Sequence, residues 1–193
     1  RSVYTGTRAD HKRALCDEDM KKVFTRLPSS SAIPLAVRRA QDMFVLMFLL
    51  RGLPFVDLAY LRKSDLRDNV ITYRRRKTGR PLSVTLTPEA LELLKKYMNR
   101  DSHSPYLFSL LKSGEGTKEA YREYQLALRS FNQQLTLLGK VLGLNDRLSS
   151  YTARHTWATT AYYCEIHPGI ISEAMGHSSI KVTETYLKPF RNK

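Results

Sequence analysis

The chain reads Tyr151-Thr-Ala-Arg154-His-Thr-Trp-Ala-Thr159, then Met175-Gly-His177-Ser-Ser179, and then Thr183-Glu-Thr-Tyr186. The arginine, the histidine and the tyrosine differ in what they can do to a phosphate. A guanidinium binds two phosphate oxygens at once and does not lose its proton. An imidazole donates a hydrogen bond or carries a proton near neutral pH, and a phenol can attack phosphorus and stay attached to it. These residue types favour a phosphate-handling site with a covalent phosphotyrosine.

The local pattern predicts three short helices around these residues. A serine pair suits the N-cap of a helix that has Arg154 in its first turn. Pro168 suits the start of a second helix, and Gly176 suits its end, directly before His177. Another serine pair precedes a third helix with Tyr186. We therefore expect the three side chains to converge.

The sequence resembles the tyrosine recombinases, the phage-integrase superfamily, in its motifs Ala-Arg-His-Thr-Trp-Ala-Thr, Met-Gly-His-Ser-Ser and Thr-x-x-Tyr. The likeness is to the integrases and invertases of mobile elements. It implies a mostly α fold with a small antiparallel β-hairpin or sheet (α+β). It also implies site-specific DNA recombination, by integration, excision or inversion, through a 3′-phosphotyrosine and without a cofactor.

The resemblance also implies a role for each matching residue. Tyr186 attacks the scissile phosphate, and Arg154 and His177 stabilise the transition state. Lys77, in the hairpin tip Lys77-Thr-Gly-Arg80, protonates the departing 5′ oxygen. The other interpretation of Lys77 is a solvated lysine that contacts backbone phosphates.

One departure from the family pattern lies three residues before Arg154, where Tyr151 replaces the usual histidine. A tyrosine hydroxyl can still donate a hydrogen bond to a phosphate oxygen. It lacks the proton-shuttling capacity of an imidazole. We expect Tyr151 to keep the phosphate contact only.

A second departure removes the first catalytic arginine, because Pro54 stands where the family has the arginine of Gly-Leu-Arg. Arg51 is the expected replacement, with Arg62 and Arg39 as alternatives. The other interpretation of Arg51 is a helix-terminal arginine that serves the helix dipole or pairs with an internal acid such as Asp57.

The composition predicts a folded domain with a polyanionic partner. The chain has 193 residues, of which 42% are hydrophobic, and its 32 basic and 18 acidic residues give a net charge of +14. Residues 51–80 hold nine Lys or Arg against three Asp, or +6 of that total. A phosphate-facing surface is expected there. With the resemblance, this charge predicts double-stranded DNA as the partner, dimers or tetramers on DNA, and accessory DNA-bending proteins as further candidate partners.

Several other chemistries are disfavoured. The sequence has no glycine-rich phosphate loop and no Asp, Glu or His cluster with metal-ligand spacing, so we expect neither a metal nor a nucleotide. Its two cysteines, Cys16 and Cys164, are expected to pack in the core. The longest apolar run, 43–50, is far shorter than the ~20 residues that span a bilayer, and it predicts a buried helix. The expected location is a reducing cytoplasm, at the nucleoid.

We expect an arm or linker at 1–13 and a catalytic domain at 14–193, without room for the separate DNA-clamping domain of the family. The predicted elements are a helix from Cys16 or Asp17, a long helix from Pro34 to Leu50, a short helix from Phe55 to Leu61, a hairpin of strands 70–73 and 82–86, a helix from Thr87 to about Asn99, and a long amphipathic helix that includes Tyr124 to Leu142.

Two other functions stay open at this stage. A type IB topoisomerase would use the same nucleophile but would relax supercoils without exchanging strands. A DNA-binding protein that does not cleave would need only the basic surface.

Overall fold

Helices make up most of the structure, a computed structural model that describes residues 14–25, 27 and 33–187. The predicted arm at 1–13 lies outside the described residues. The elements in chain order are α1 Asp17–Phe24, α2 Leu35–Leu49, α3 Phe55–Tyr60, β1 Leu66–Arg67, β2 Val70–Arg74, β3 Pro81–Thr85, α4 Pro88–Tyr97, α5 Lys118–Val141, α6 Ser150–Tyr163, α7 Pro168–Ala174 and α8 Ile180–Leu187.

The central element is α2, which packs against α4, α5 and α6. Its apolar run is buried, with Phe44, Leu46 and Met47 fully inaccessible, so the predicted buried helix is confirmed. Burying each such side chain stabilises the fold by about 1.5–3 kcal/mol. None of the helices in the described part is long and apolar enough to cross a membrane.

The strands form one antiparallel sheet in the order β1-β2-β3. The register runs from Val70 opposite Thr85 to Arg74 opposite Pro81, as the predicted hairpin requires. The strand β1 was not predicted, because its two residues are too few to show alternation. Residues 75–80 form the tip of the hairpin, where the Arg75 amide donates to the Arg80 carbonyl oxygen (2.9 Å).

The last three helices pack around a small core of their own. Ala158, Ala161, Ile171 and Met175 are buried together, and Tyr186 packs against them. Because α8 contacts both α6 and α7, this apolar cluster fixes the position of the helix that carries the tyrosine.

The expectation that the two cysteines pack in the core is wrong, since both are exposed. Cys16 is the N-cap of α1 and Cys164 is the C-cap of α6. A residue at a helix end can lie outside the buried stripe even when its spacing matches that stripe.

Candidate active site

Arg154 is held inside the protein by two carbonyl groups. Its side chain lies near the start of α6, and the residue is 2% exposed. Nη1 donates to the Gly52 carbonyl oxygen (2.8 Å) and Nη2 donates to the Met175 carbonyl oxygen (2.7 Å). Burial lowers the pKa of Arg154, and the positive charge of Arg75 acts in the same direction, whereas Tyr186 opposes them. Neither carbonyl neutralises the guanidinium, so it keeps its charge for a ligand.

Gly52 allows this arrangement because it brings the turn after α2 against α6. Its φ is +66°, and an added Cβ would lie 2.9 Å from the Arg154 Cα. A larger residue would push the turn away from the guanidinium that it orients.

His177 follows the turn at the end of α7 and is 4% exposed. Its Nδ1 is 2.7 Å from the hydroxyl of Thr183, a fully buried residue on α8. Its Nε2 is buried and has no hydrogen-bond partner among the residues that the structure describes. Burial, helped by the charges of Arg154, Arg75 and Lys77, lowers the pKa of His177 to about 3. The imidazole is therefore neutral at pH 7.

Tyr186 lies between two imidazole rings. Its ring centroid is 4.3 Å from that of His155 and 5.1 Å from that of His177. Its side chain also interacts with the Arg154 guanidinium. The structure thus brings Arg154, His177 and Tyr186 together from α6, the turn after α7, and α8.

The rings of His177, Tyr186 and His155 form a row, which Tyr151 extends along α6. Tyr151 is 46% exposed, and its ring centroid is 6.0 Å from that of His155. His155 was given no role from the sequence, although it directly follows Arg154. The helical spacing of Tyr151 and His155 could have indicated that they share one face.

Lys77 lies in a hairpin tip that is attached to the histidine segment. The Thr78 hydroxyl donates to the Gly176 carbonyl oxygen (3.1 Å), and Arg80 Nη2 donates to the Ser178 carbonyl oxygen (3.2 Å). Lys77 is near enough for its charge to help lower the pKa of His177. The tip therefore places an ammonium group beside the site.

A buried ion pair that was not expected lies under this tip. Arg75 Nη1 pairs with Asp57 Oδ2, and the two side chains are 6% and 0% exposed. Asp57 Oδ1 also accepts a hydrogen bond from the Arg76 amide (3.0 Å). The sequence signal for Arg75 was the alternation of side chains along a strand. Arg75 continues the inward-facing positions of β2 after Ile71 and Tyr73.

The arginines considered as replacements for the missing one have other contacts. Arg51 Nη1 donates to the Ser83 carbonyl oxygen (3.3 Å). Arg62 pairs with Glu115 (2.6 Å), and the Arg39 guanidinium lies 5.7 Å from the centre of the Tyr97 ring. The suggested pairing of Arg51 with Asp57 is wrong, because Arg75 occupies that carboxylate.

A mostly helical domain with a small antiparallel sheet, in which the last three helices and the turn between α7 and α8 bring together a tyrosine, an arginine and a histidine, is the catalytic fold of the tyrosine recombinases. The family model described as the phage integrase family matches residues 15–193, and the chain belongs to that family.

Two curated relatives illustrate the similarity. Tyrosine recombinase XerA of Pyrococcus furiosus is 25% identical over 180 residues, which cover 91% of this chain and 57% of the relative. Tyrosine recombinase XerC of Haemophilus ducreyi is 28% identical over 134 residues, covering 67% of this chain and 42% of the relative. The chain thus spans about half the length of these relatives.

Solved structures show the same fold. The crystal structure of XerA recombinase has a TM-score of 0.63 at 21% identity, covering 91% of this chain and 60% of that one. The Tn1549 transposon integrase in complex with transposon right end DNA has a TM-score of 0.65 at 15% identity, covering 96% and 64%. XerH bound to its difH substrate has a TM-score of 0.63 at 20% identity, covering 96% and 53%.

Proposed function

We propose that this chain carries the catalytic site of a site-specific recombinase that cleaves and rejoins double-stranded DNA through a 3′-phosphotyrosine. The observation that carries the proposal is the placement of the Tyr186 ring against His177, with its side chain interacting with Arg154. The relatives named tyrosine recombinases and the neighbours bound to DNA support the same activity.

In this reaction the Tyr186 oxygen forms a bond to the scissile phosphorus, and the bond from phosphorus to the 5′ oxygen breaks. The phenolic proton leaves to solvent, and Lys77 gives a proton to the 5′ oxygen. Arg154 donates to the non-bridging oxygens, on which negative charge builds. Attack by a 5′ hydroxyl then reverses the step on a new strand, so that no nucleotide is consumed.

His177 acts as a neutral donor in this mechanism. We assign the tautomer in which the Thr183 hydroxyl donates to Nδ1 and the ring proton lies on Nε2, an atom without a hydrogen-bond partner among the described residues. A phosphate oxygen would complete that hydrogen bond. A low pKa suits this role, because the ring stays neutral across the neutral pH range.

Tyr151 supplies a hydroxyl to the same phosphate from the exposed end of the ring row. A role for Arg51 as the second phosphate-binding arginine stays a prediction.

At the scale of the assembly, we propose that residues 14–193 act as a catalytic domain together with a DNA-clamping domain of the kind found in the family. Two or four such sites would assemble on DNA, at the nucleoid. A lambda integrase neighbour is a dimer bound to a core site, which supports assembly on the substrate. Accessory DNA-bending proteins are further candidate partners.

The test uses nicked duplexes with a randomised core sequence. Release of the short strand beyond the nick prevents rejoining, so a cleaving protein is trapped on DNA as an adduct that resists SDS. We expect adducts with the wild-type chain, and inversion or deletion in a plasmid that carries two copies of the recovered sequence. DNA binding without any adduct would indicate a non-cleaving protein, and relaxation without exchange would indicate a type IB topoisomerase.

A further inference from the structure

We propose that Arg75, at the start of the hairpin tip, is the second guanidinium that contacts the scissile phosphate and replaces the arginine missing at Pro54. The inference rests on the recombinase function proposed above. It places the second guanidinium on a different element. The family's arginine position, occupied here by Pro54, lies directly before α3, whereas Arg75 directly follows β2.

The first argument is position. The Arg75 side chain lies against Gly176, where an added Cβ would be 2.8 Å from the Arg75 Cγ and 3.4 Å from its Cδ. The residue before Gly176 provides the carbonyl oxygen that holds Arg154, and the residue after it is His177. Arg75 therefore lies beside both proposed phosphate ligands, whereas the hydrogen bond of Arg51 goes to β3.

The second argument is hydrogen bonding. Within the described residues, only two buried side-chain nitrogen or oxygen atoms lack a partner, and they are Arg75 Nε and His177 Nε2. Buried polar groups are nearly always satisfied, so each exception calls for an explanation. Arg75 packs against Gly176, and His177 directly follows Gly176 in the chain. A phosphate bound there would satisfy both donors.

The third argument is charge. Beside His177, which is neutral, Arg154 and Arg75 are buried with one carboxylate, Asp57. The other buried carboxylate of the described residues, Asp19, lies on α1 and pairs with Lys22. Two positive charges and one negative charge leave one positive charge without a buried partner, which matches the single negative charge of a phosphodiester. A buried uncompensated charge is costly, and bound DNA would remove that cost. The positive charge of Arg75 helps to lower the pKa of both Arg154 and His177, which agrees with their closeness.

Asp57 gives Arg75 its orientation in this account. It pairs with Nη1, which leaves the Nε side of the guanidinium for the ligand. The competing interpretation is that the ion pair only fastens the hairpin to α3. A test must therefore distinguish a phosphate contact from a structural link.

The first measurement compares adduct formation on a nicked duplex recovered from the randomised pool. Arg75→Lys keeps a positive charge for Asp57 but loses the Nε donor. We expect cleavage to slow by at least ~10²-fold, the loss typical of one transition-state donor. Thermal unfolding should show that the variant is folded. Arg76→Lys is the matched control, because the neighbouring Arg76 side chain pairs with Glu115 and lies over the Tyr60 ring. This variant should cleave at close to the wild-type rate.

The second measurement replaces one non-bridging oxygen of the scissile phosphate by a methyl group. The resulting methylphosphonate is neutral and needs less charge stabilisation. On each substrate, the cleavage rate of Arg75→Lys is compared with that of the wild-type chain. We expect this slowing to be at least ~10-fold smaller on the methylphosphonate than on the phosphate. A purely structural role would slow both substrates equally, and that result would overturn the inference.

Two further outcomes separate this inference from the function on which it rests. If the wild-type chain forms an adduct and Arg75→Lys forms it at a similar rate, Arg75 is not the missing arginine. A larger loss in Arg51→Lys than in Arg75→Lys would return the role to Arg51. If the wild-type chain forms no adduct on any duplex, the recombinase proposal and this inference fail together.

Discussion

At the scale of single residues, the site contains an imidazole that is kept neutral by burial and by the cations around it. His177 lies beside Arg154, Arg75 and Lys77, and its pKa falls to about 3 in the folded protein. An imidazole in an unfolded chain has a pKa of about 6.5. The unfolded state therefore binds a proton between these values that the folded state does not bind.

This difference predicts a pH dependence of stability. The free energy of unfolding should decrease as the pH falls from about 6.5 toward about 3, by up to ~1.4 kcal/mol per pH unit for this one proton. In His177→Asn this decrease should be shallower, because the variant lacks the imidazole that takes up the proton. The carboxylates that titrate in the same pH range are unchanged and contribute equally in both proteins. Urea unfolding of both proteins at several pH values measures the two slopes, and equal slopes would show that His177 is not kept neutral by its surroundings.

The role of Lys77 as an acid can be separated from phosphate binding by two variants. Lys77→Ala removes the ammonium, and Lys77→Arg keeps a cation that hardly releases its proton. Both should cleave slowly when the leaving group is the 5′ oxygen, and both should recover when sulfur, a better leaving group, replaces it. The rates come from adduct formation on matched nicked duplexes. Full activity of Lys77→Arg on the oxygen substrate would reduce Lys77 to a backbone contact.

At the scale of elements, the turn between α7 and α8 aligns the site. Gly176 has a φ of +64°, and an added Cβ there would lie 2.8 Å from the Arg75 Cγ. Gly143 has nearly the same conformation, with a φ of +61°, but an added Cβ there would meet nothing within 4 Å. The two glycines therefore separate backbone strain from crowding.

We expect both Gly143→Ala and Gly176→Ala to lose about 1–2 kcal/mol of stability from left-handed strain. Gly176→Ala should lose more, because the new methyl group displaces Arg75, and it should also cleave slowly. Urea unfolding and adduct formation provide the two readouts. Equal stability losses with normal cleavage in both variants would contradict the close packing at Gly176.

Most elements could be predicted from the sequence because their signals are local. The predicted hairpin and the helix that begins after Thr87 are confirmed, and the Thr87 hydroxyl accepts a hydrogen bond from the Ala90 amide (3.2 Å). The motif spacing likewise indicated which three side chains would meet. Arg75 was missed because it stands within four consecutive basic residues, a pattern typical of a solvated tip. Its place in line with the inward face of β2 was the available signal, but its pairing with Asp57, 18 positions away, leaves no local pattern.

At the scale of the whole molecule, the net charge of +14 predicts how DNA binding responds to salt. Contacts between basic residues and phosphates release counterions, so affinity falls as salt rises. If about six to ten phosphates are contacted, raising the salt from roughly 50 to 200 mM should weaken binding by about 10³ to 10⁵-fold. Fluorescence anisotropy with a labelled duplex measures the slope. A flat response would contradict a binding surface built on phosphate contacts.

The central claim is that Tyr186 becomes covalently joined to DNA. The most direct measurement digests the trapped adduct with nuclease and protease and locates the modified residue by mass spectrometry. Tyr186→Phe removes only the hydroxyl and should retain DNA affinity, whereas Tyr162→Phe, at an exposed position on α6, is the matched control. The account predicts a nucleotide joined through its 3′-phosphate to Tyr186, no adduct in Tyr186→Phe, and a normal adduct in Tyr162→Phe. Persistence of the adduct in Tyr186→Phe, or its location on another residue, would contradict the account.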